Sequence, residues 1–199
     1  MQLILTDIDD VVLDWYSGFK QYLIKNTKIK PPHEPHNYDL SINFNIDKHT
    51  ASELVNRFNA SDEFFDLKPR ADADYYLNLM SSGFKVVGIT CGSSKYYDMG
   101  KGQVRKALNL EKYFPGVFSD VIVLPLTADK TETLNQFFPS IWVENSLDNA
   151  IKGVKCNHRT FLVDFPYNRN YTGSDITRVA NWGDIYKTLE DENVKLSNG

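Results

Sequence analysis

The sequence predicts an α/β fold: a three-layer parallel sheet flanked by helices, with a small, mainly helical insertion after the first strand–helix unit. Three observations lead there. Short apolar runs alternate along the chain with segments of helical pattern, the signature of βαβ units. At 199 residues, with 42% hydrophobic and 24% charged residues, the chain has the size and composition of one packed domain with a modest insertion. Residues 27–68 break the alternation and are too long for a structureless loop in a compact domain.

Taken in order, the first strand is Gln2–Thr6 and a helix over 15–26 follows. Residues 27–68 open on Thr27-Lys28-Ile29-Lys30-Pro31-Pro32-His33-Glu34-Pro35, carry a helical piece near 48–59 and close on Phe64-Phe65. They read as a cap over the end of the sheet, of the kind that excludes water and recognises the part of a substrate remote from the reaction. A helix over 70–82 leads to strand Phe84–Thr90, one over 95–110 to Val117–Leu124, and one over 130–138 to Ile141–Glu144. A helix over 146–153 precedes the strand Thr160–Val163, and the last helix starts near Trp182 and runs to about Glu190. Residues 1–26 and 69–191 thus form the core, and the polar tail 192–199 is expected to fray.

The net charge of −4 argues against a non-specific nucleic-acid surface, though not against a small anionic substrate met by a metal. Cys91 and Cys156 fit no zinc spacing, and a reducing cytoplasm is the simplest setting. Acidic residues interrupt the first apolar run, so a signal peptide is not expected, and no apolar stretch approaches a membrane span.

Four sites fall at the carboxyl ends of the expected strands, the edge where open α/β sheets bind ligands. The first is Asp7-Ile8-Asp9-Asp10. Carboxylates this close repel one another, and a divalent cation with oxygen ligands, Mg²⁺ first, relieves them better than a helix cap explains them. If the strand continues, period-2 geometry points Asp7 and Asp9 the same way, one placed as nucleophile and the other beside a leaving-group oxygen. The second is Thr90-Cys91-Gly92-Ser93-Ser94, a strand-end hydroxyl followed by small residues before a helix, suited to an anion. The third is Lys130, a cation at a helix start where the dipole disfavours it. The fourth is Glu144-Asn145, oxygen donors ending a buried strand. A turn, a surface lysine and a helix cap are the ordinary structural readings of the last three; their shared order and placement carry the signal.

As a set these motifs resemble the haloacid dehalogenase-like phosphohydrolase superfamily, whose sheet is Rossmann-like. The resemblance covers residues 3–149. It implies that Asp7 is the nucleophile and Asp9 the general acid/base, carrying a proton at the start of the step. It implies that Thr90, Cys91 and Lys130 bind the phosphate, and that Asp7, Asp9 through its carbonyl, Glu144 and Asn145 hold Mg²⁺. Two residues depart from the pattern: Asp10 stands where glycine is usual, and Asn145 where a second acid is usual. The lost charge is expected to weaken metal affinity, with Asp148 or Asp10 as compensating candidates.

A narrower resemblance is to the 5′(3′)-deoxyribonucleotidase family. It rests on the Asp7–Trp15 stretch, Ser61-Asp62-Glu63-Phe64-Phe65-Asp66-Leu67-Lys68-Pro69, Asp129-Lys130-Thr131, Asp164-Phe165-Pro166-Tyr167-Asn168-Arg169-Asn170 and Arg178-Val179-Ala180-Asn181-Trp182. It implies a Mg²⁺-dependent phosphatase acting on (deoxy)nucleoside monophosphates through an aspartyl phosphate, with Phe44, Phe64 and Phe65 as cap aromatics near the nucleoside; Phe64 and Phe65 also read as hinge packing. Other readings stay open: another small phosphate ester such as a sugar phosphate, a nucleic-acid 3′-phosphate, a signalling receiver, or a non-catalytic binding protein. The oligomeric state is open, a homodimer included.

Overall fold

The structure is a computed structural model that describes residues 2–92, 95–96 and 98–197; Ser93 and Ser94 of the expected anion loop and the last two residues of the tail lie outside them. Six strands form one all-parallel sheet: β1 (Gln2–Thr6), β2 (Phe84–Thr90), β3 (Phe118–Val123), β4 (Ile141–Glu144), β5 (Arg159–Val163) and β6 (Ile176–Val179), in the order β3-β2-β1-β4-β5-β6. The central strands are apolar on both faces, as parallel strands between helical layers must be: β4 and the last five residues of β2 are buried throughout. The chain steps from β1 outward to β2 and β3, then crosses back to β4 on the other side of β1. That reversal opens a crevice at the carboxyl ends of β1 and β4.

Helices cover the sheet: α1 (Trp15–Asn26), α2 (Leu40–Phe44), α3 (Lys48–Asn59), α4 (Ala73–Met80), α5 (Met99–Tyr113), α6 (Thr131–Leu134), α7 (Leu147–Lys155) and α8 (Trp182–Ser197). Aspartates start several of them. Asp14, Asp39, Asp47 and Asp98 each accept a backbone N–H of the first turn, which satisfies donors that have no partner within the helix. Asp72 does this across space, taking the N–H groups of Trp182 and Gly183 at 3.1 and 3.0 Å and fixing where α8 begins. Among the described residues no helix is long and apolar enough to cross a membrane.

Residues 27–68 contain α2, α3 and a 3₁₀ turn at Glu63–Asp66. Their apolar side chains do not form a separate core. Phe44, Phe58 and Phe64 belong to the same packed cluster as Ile4 and Val86 of the sheet. Phe58 is the hub, with ring centroids 5.3 Å from Phe19 and 5.5 Å from Trp15 of α1.

Several boundaries differ from the sequence expectation. The helix expected over 130–138 contracts to the one turn Thr131–Leu134, and turn residues lead from it to Pro139 and β4. The helix expected from 95 starts at Met99, after the Asp98 cap. The last helix continues to Ser197 instead of ending near Glu190. Strand β6 was not expected: it has four residues, of which only Ile176 and Val179 at its ends are buried, and follows a polar run.

Candidate active site

Asp7 follows β1 directly. Its N–H still bonds Val143 O of β4 at 2.9 Å, so the ladder reaches one residue past the strand. The chain then turns: Val12 and Leu13 both donate to Ile8 O at 2.9 Å, and Trp182 Nε1 holds Val11 O at 2.9 Å. Asp9 is therefore placed by a tight loop and not by strand pleat, a correction to the period-2 expectation. Asp10 makes the loop turn with a φ of 62°, the left-handed region that aspartate tolerates better than most residues. Its Oδ1 accepts Tyr16 N at 2.7 Å, so this carboxylate is committed to the start of α1. Asp148, the other compensating candidate, is exposed on α7.

A cavity of about 220 Å³ lies over the crevice. Asp7, Asp9, Thr90, Cys91, Lys130, Glu144 and Asn145 all line it, so the residues expected as nucleophile, acid, phosphate contacts and metal ligands meet in one place. Lys130 Nζ, at the N-terminus of α6, donates to Asp7 Oδ1 at 2.7 Å and to Glu144 Oε2 at 2.9 Å, and sits 5.2 Å from the Trp142 ring centroid. Glu144 Oε1 accepts the N–H groups of Asn145 and Ser146 at 2.9 and 3.0 Å. Asp9 Oδ2 accepts the Thr90 hydroxyl at 3.0 Å, and Asp9 Oδ1 accepts Lys106 Nζ at 2.9 Å. Both side-chain oxygens of Asp9 are thus held by donors.

Two buried acids, Asp7 and Glu144, share the one Lys130 ammonium. Burial, together with the Glu144 carboxylate, pushes the Asp7 carboxyl up to about 8 against the pull of Lys130. Burial also opposes the Lys130 charge, but Asp7 and Glu144 outweigh it and raise the ammonium above the ordinary lysine range. Burial raises the Cys91 thiol to about 11, so it enters the site as a neutral group.

The walls come from two directions. Trp15 and Tyr16 of α1, Pro35, Asn37, Tyr38, Leu40, and Val55 and Asn59 of α3 line the cavity together with Tyr167, which follows β5. The Tyr38 residue is exposed as a whole, yet its hydroxyl reaches inward to Ser146. Burial there, with Glu144 and Asp7 nearby, raises the phenol above its usual value. Its ring meets the Tyr167 ring edge-on at 5.6 Å. Tyr167 in turn accepts Asn145 Nδ2 at 3.0 Å, and the fully buried Asn168 donates to Asn145 O at 2.9 Å.

The aromatics expected at the cap edge sit elsewhere. Phe44 packs on Phe19 at 5.9 Å, Phe64 is buried beneath the Lys106 ammonium at 3.7 Å, and Phe65 lies under the Arg105 guanidinium at 3.8 Å. None of the three lines the cavity. Phe64 and Phe65, at the end of the insertion, thus pack beside the site, and Phe44 packs against α1.

Residues 1–194 match the family described as 5′ nucleotidase, deoxy (pyrimidine), cytosolic type C protein. The chain belongs to this family. This nucleotidase is a phosphoric monoester hydrolase. It is 25% identical over 205 residues to a 32.4 kDa protein of the Gp30-rIII intergenic region of Enterobacteria phage T4, covering 94% of this chain and 69% of the relative. In fold it is similar to a haloacid dehalogenase-like hydrolase from Streptococcus pneumoniae, with a TM-score of 0.65, 13% identity and coverage of 95% and 98% of the two chains. It is also similar to the HAD-hydrolase YfnB from Bacillus subtilis bound to magnesium, with a TM-score of 0.59, 18% identity and coverage of 94% and 98%.

The donor chemistry of the nucleotidase site fits a hard divalent cation. Asp7, Asp9 and Glu144 offer carboxylate oxygens and Asn145 an amide oxygen, the hard donors such a cation takes. Lys106, Tyr38 and Trp15 were missed as site residues. Lys106 alone had a readable signal, since it occupies the same helical face as the buried Gly102, Asn109 and Leu110.

Proposed function

We propose that this nucleotidase hydrolyses deoxynucleoside monophosphates in a Mg²⁺-dependent reaction through a phosphorylated Asp7. The observation that carries the reading is the pairing of Lys130 with Asp7 at 2.7 Å in a cavity that Trp15, Tyr16, Tyr38 and Tyr167 also line. Asp7, Glu144, the Asn145 side chain and the Asp9 carbonyl are the groups that would hold Mg²⁺, which when bound neutralises charge on the substrate phosphate. Asp7 Oδ attacks phosphorus in line. Lys130 and Thr90 donate to the equatorial oxygens, where charge is spread in the transition state. Asp9, carrying a proton into the step, passes it to the departing sugar oxygen and then takes one from the water that cleaves the phosphoaspartate. Trp15, Tyr38 and Tyr167 offer flat faces to the nucleoside, with Tyr38 reaching over the phosphate end. Free cysteines at 91 and 156 accord with a reducing cytoplasm.

The test is phosphate release from deoxynucleoside monophosphates, ribonucleotides and sugar phosphates, with and without Mg²⁺. Expected is release that favours pyrimidine deoxynucleotides, stops with chelator and is abolished in Asp7→Asn. Turnover by Asp7→Asn at the wild-type rate removes the nucleophile assignment, and a preference for sugar phosphates removes the substrate assignment.

A further inference from the structure

Lys106 is among the most deeply buried side chains of the described residues, 1% exposed, and its amine is paired with the Asp9 side chain. It stands on α5, does not line the cavity, and has no part in the chemistry above. Its ammonium lies between the Asp9 carboxylate, Oδ1 at 2.9 Å, and the face of Phe64 at 3.7 Å. The Asp9 side chain is 17% exposed and lines the cavity, with Thr90 and Gly92 beside its other oxygen. Thr90 Oγ1 is 3.0 Å from Oδ2, and a Cβ added to Gly92 would lie 3.1 Å from Oδ2 and 3.2 Å from the Phe64 ring. Stability alone does not account for a lysine here, since exchanging a buried ion pair for well-packed apolar residues is often neutral or favourable.

Resting on the phosphatase reading, we propose that Lys106 is a positioning residue for proton transfer: by holding Asp9 Oδ1 it turns Oδ2 toward the leaving group of the phosphate ester. In the transfer step the bond from an Asp7 oxygen to phosphorus forms. The bond from phosphorus to the ester oxygen breaks, and that oxygen takes the proton carried on Asp9 Oδ2. Lys106 keeps its own protons and acts only through the geometry of Asp9. An alkoxide leaving group needs this proton; a nitrophenolate departs without it.

The two cases are separated by kcat/KM, which reports the step up to formation of the phosphoaspartate. Lys106→Met and Lys106→Gln are compared with wild type on deoxyuridine 5′-monophosphate and on p-nitrophenyl phosphate, after thermal melts establish that each is folded. Loss of a well-placed general acid predicts a fall of about 100-fold on the nucleotide for Lys106→Met, against about fivefold or less on the nitrophenyl ester. In an Asp9→Ala background the same change adds no further loss on the nucleotide, because the two residues act as one unit. Equal losses on the two esters, no loss on either, or additive losses with Asp9→Ala overturn the proposal. If Lys106→Met does not fold, Lys106→Gln is read in the same way, and failure of both to fold assigns Lys106 to structure and also overturns it. A wild-type protein that cleaves neither ester overturns the phosphatase reading itself; one that cleaves both, with Asp7→Asn inactive, leaves that reading standing whatever Lys106 does.

Discussion

Lys130 and Glu144 meet at 2.9 Å with almost no exposed surface on either side chain, and Asp7 completes the cluster from the neighbouring strand end. Removing the ammonium leaves two carboxylates facing each other in a dry site. Lys130→Met is expected to lower stability by about 3–5 kcal/mol, the usual result of breaking a buried pair, and to remove phosphatase activity. Urea unfolding and phosphate release measure the two effects. An unchanged urea midpoint would mean that the cluster adjusts by taking up a proton.

Gly92 is required by the closeness of Asp9 and Phe64 to its backbone. Gly92→Ala is expected to displace the Asp9 carboxylate by a few tenths of an ångström or more and to reduce turnover about ten- to hundredfold, with a much smaller effect on melting. Steady-state kinetics alongside a thermal melt distinguish this from general destabilisation.

Asp10 gives a pH-dependent contribution to stability. Burial lifts its carboxyl from 3.8 to about 7. Between those values the folded chain keeps a proton that the unfolded chain has lost, so the folded state binds more protons and stability falls as pH rises. Above about pH 7 the whole penalty is present. Asp10→Asn keeps an acceptor for Tyr16 N and removes the titration. Urea midpoints across this window are expected to show the variant gaining on wild type as pH rises; a constant difference between them contradicts the argument.

Tyr167 orients the Asn145 amide through its hydroxyl. Tyr167→Phe is expected to weaken Mg²⁺ binding about tenfold, the lower end of what losing an outer partner of a metal ligand costs. Calorimetric titration with magnesium chloride reads this without reference to catalysis.

The sheet was legible because its strands are nearly pure apolar runs such as Phe84–Thr90, and the site because its chemistry sits where those runs stop. What escaped was decided by tertiary placement. Strand β6 has only Ile176 and Val179 facing inward. Asp9 looked like a continuation of a strand that ends at Thr6. Phe64 and Phe65 read equally as substrate contacts and as packing, and the basic residues of α5 that cover them could not be paired with them from order alone. Lys106 sits in the basic stretch Arg105-Lys106, which reads as a solvated face until the helix phase is set by Asn109 and Leu110.

The clustering of Phe58 with Phe19 and Trp15 also bears on how substrate reaches the carboxylates. Swinging residues 27–68 away as one body would uncover Phe44, Phe58 and Phe64, which share a packed cluster with Ile4 and Val86 of the sheet. Traffic must then use a doorway of fixed frame, in which rotation of single side chains such as Tyr38 is the moving part. The dimensions of that frame, more than the speed of any closure, would decide which esters reach Asp7.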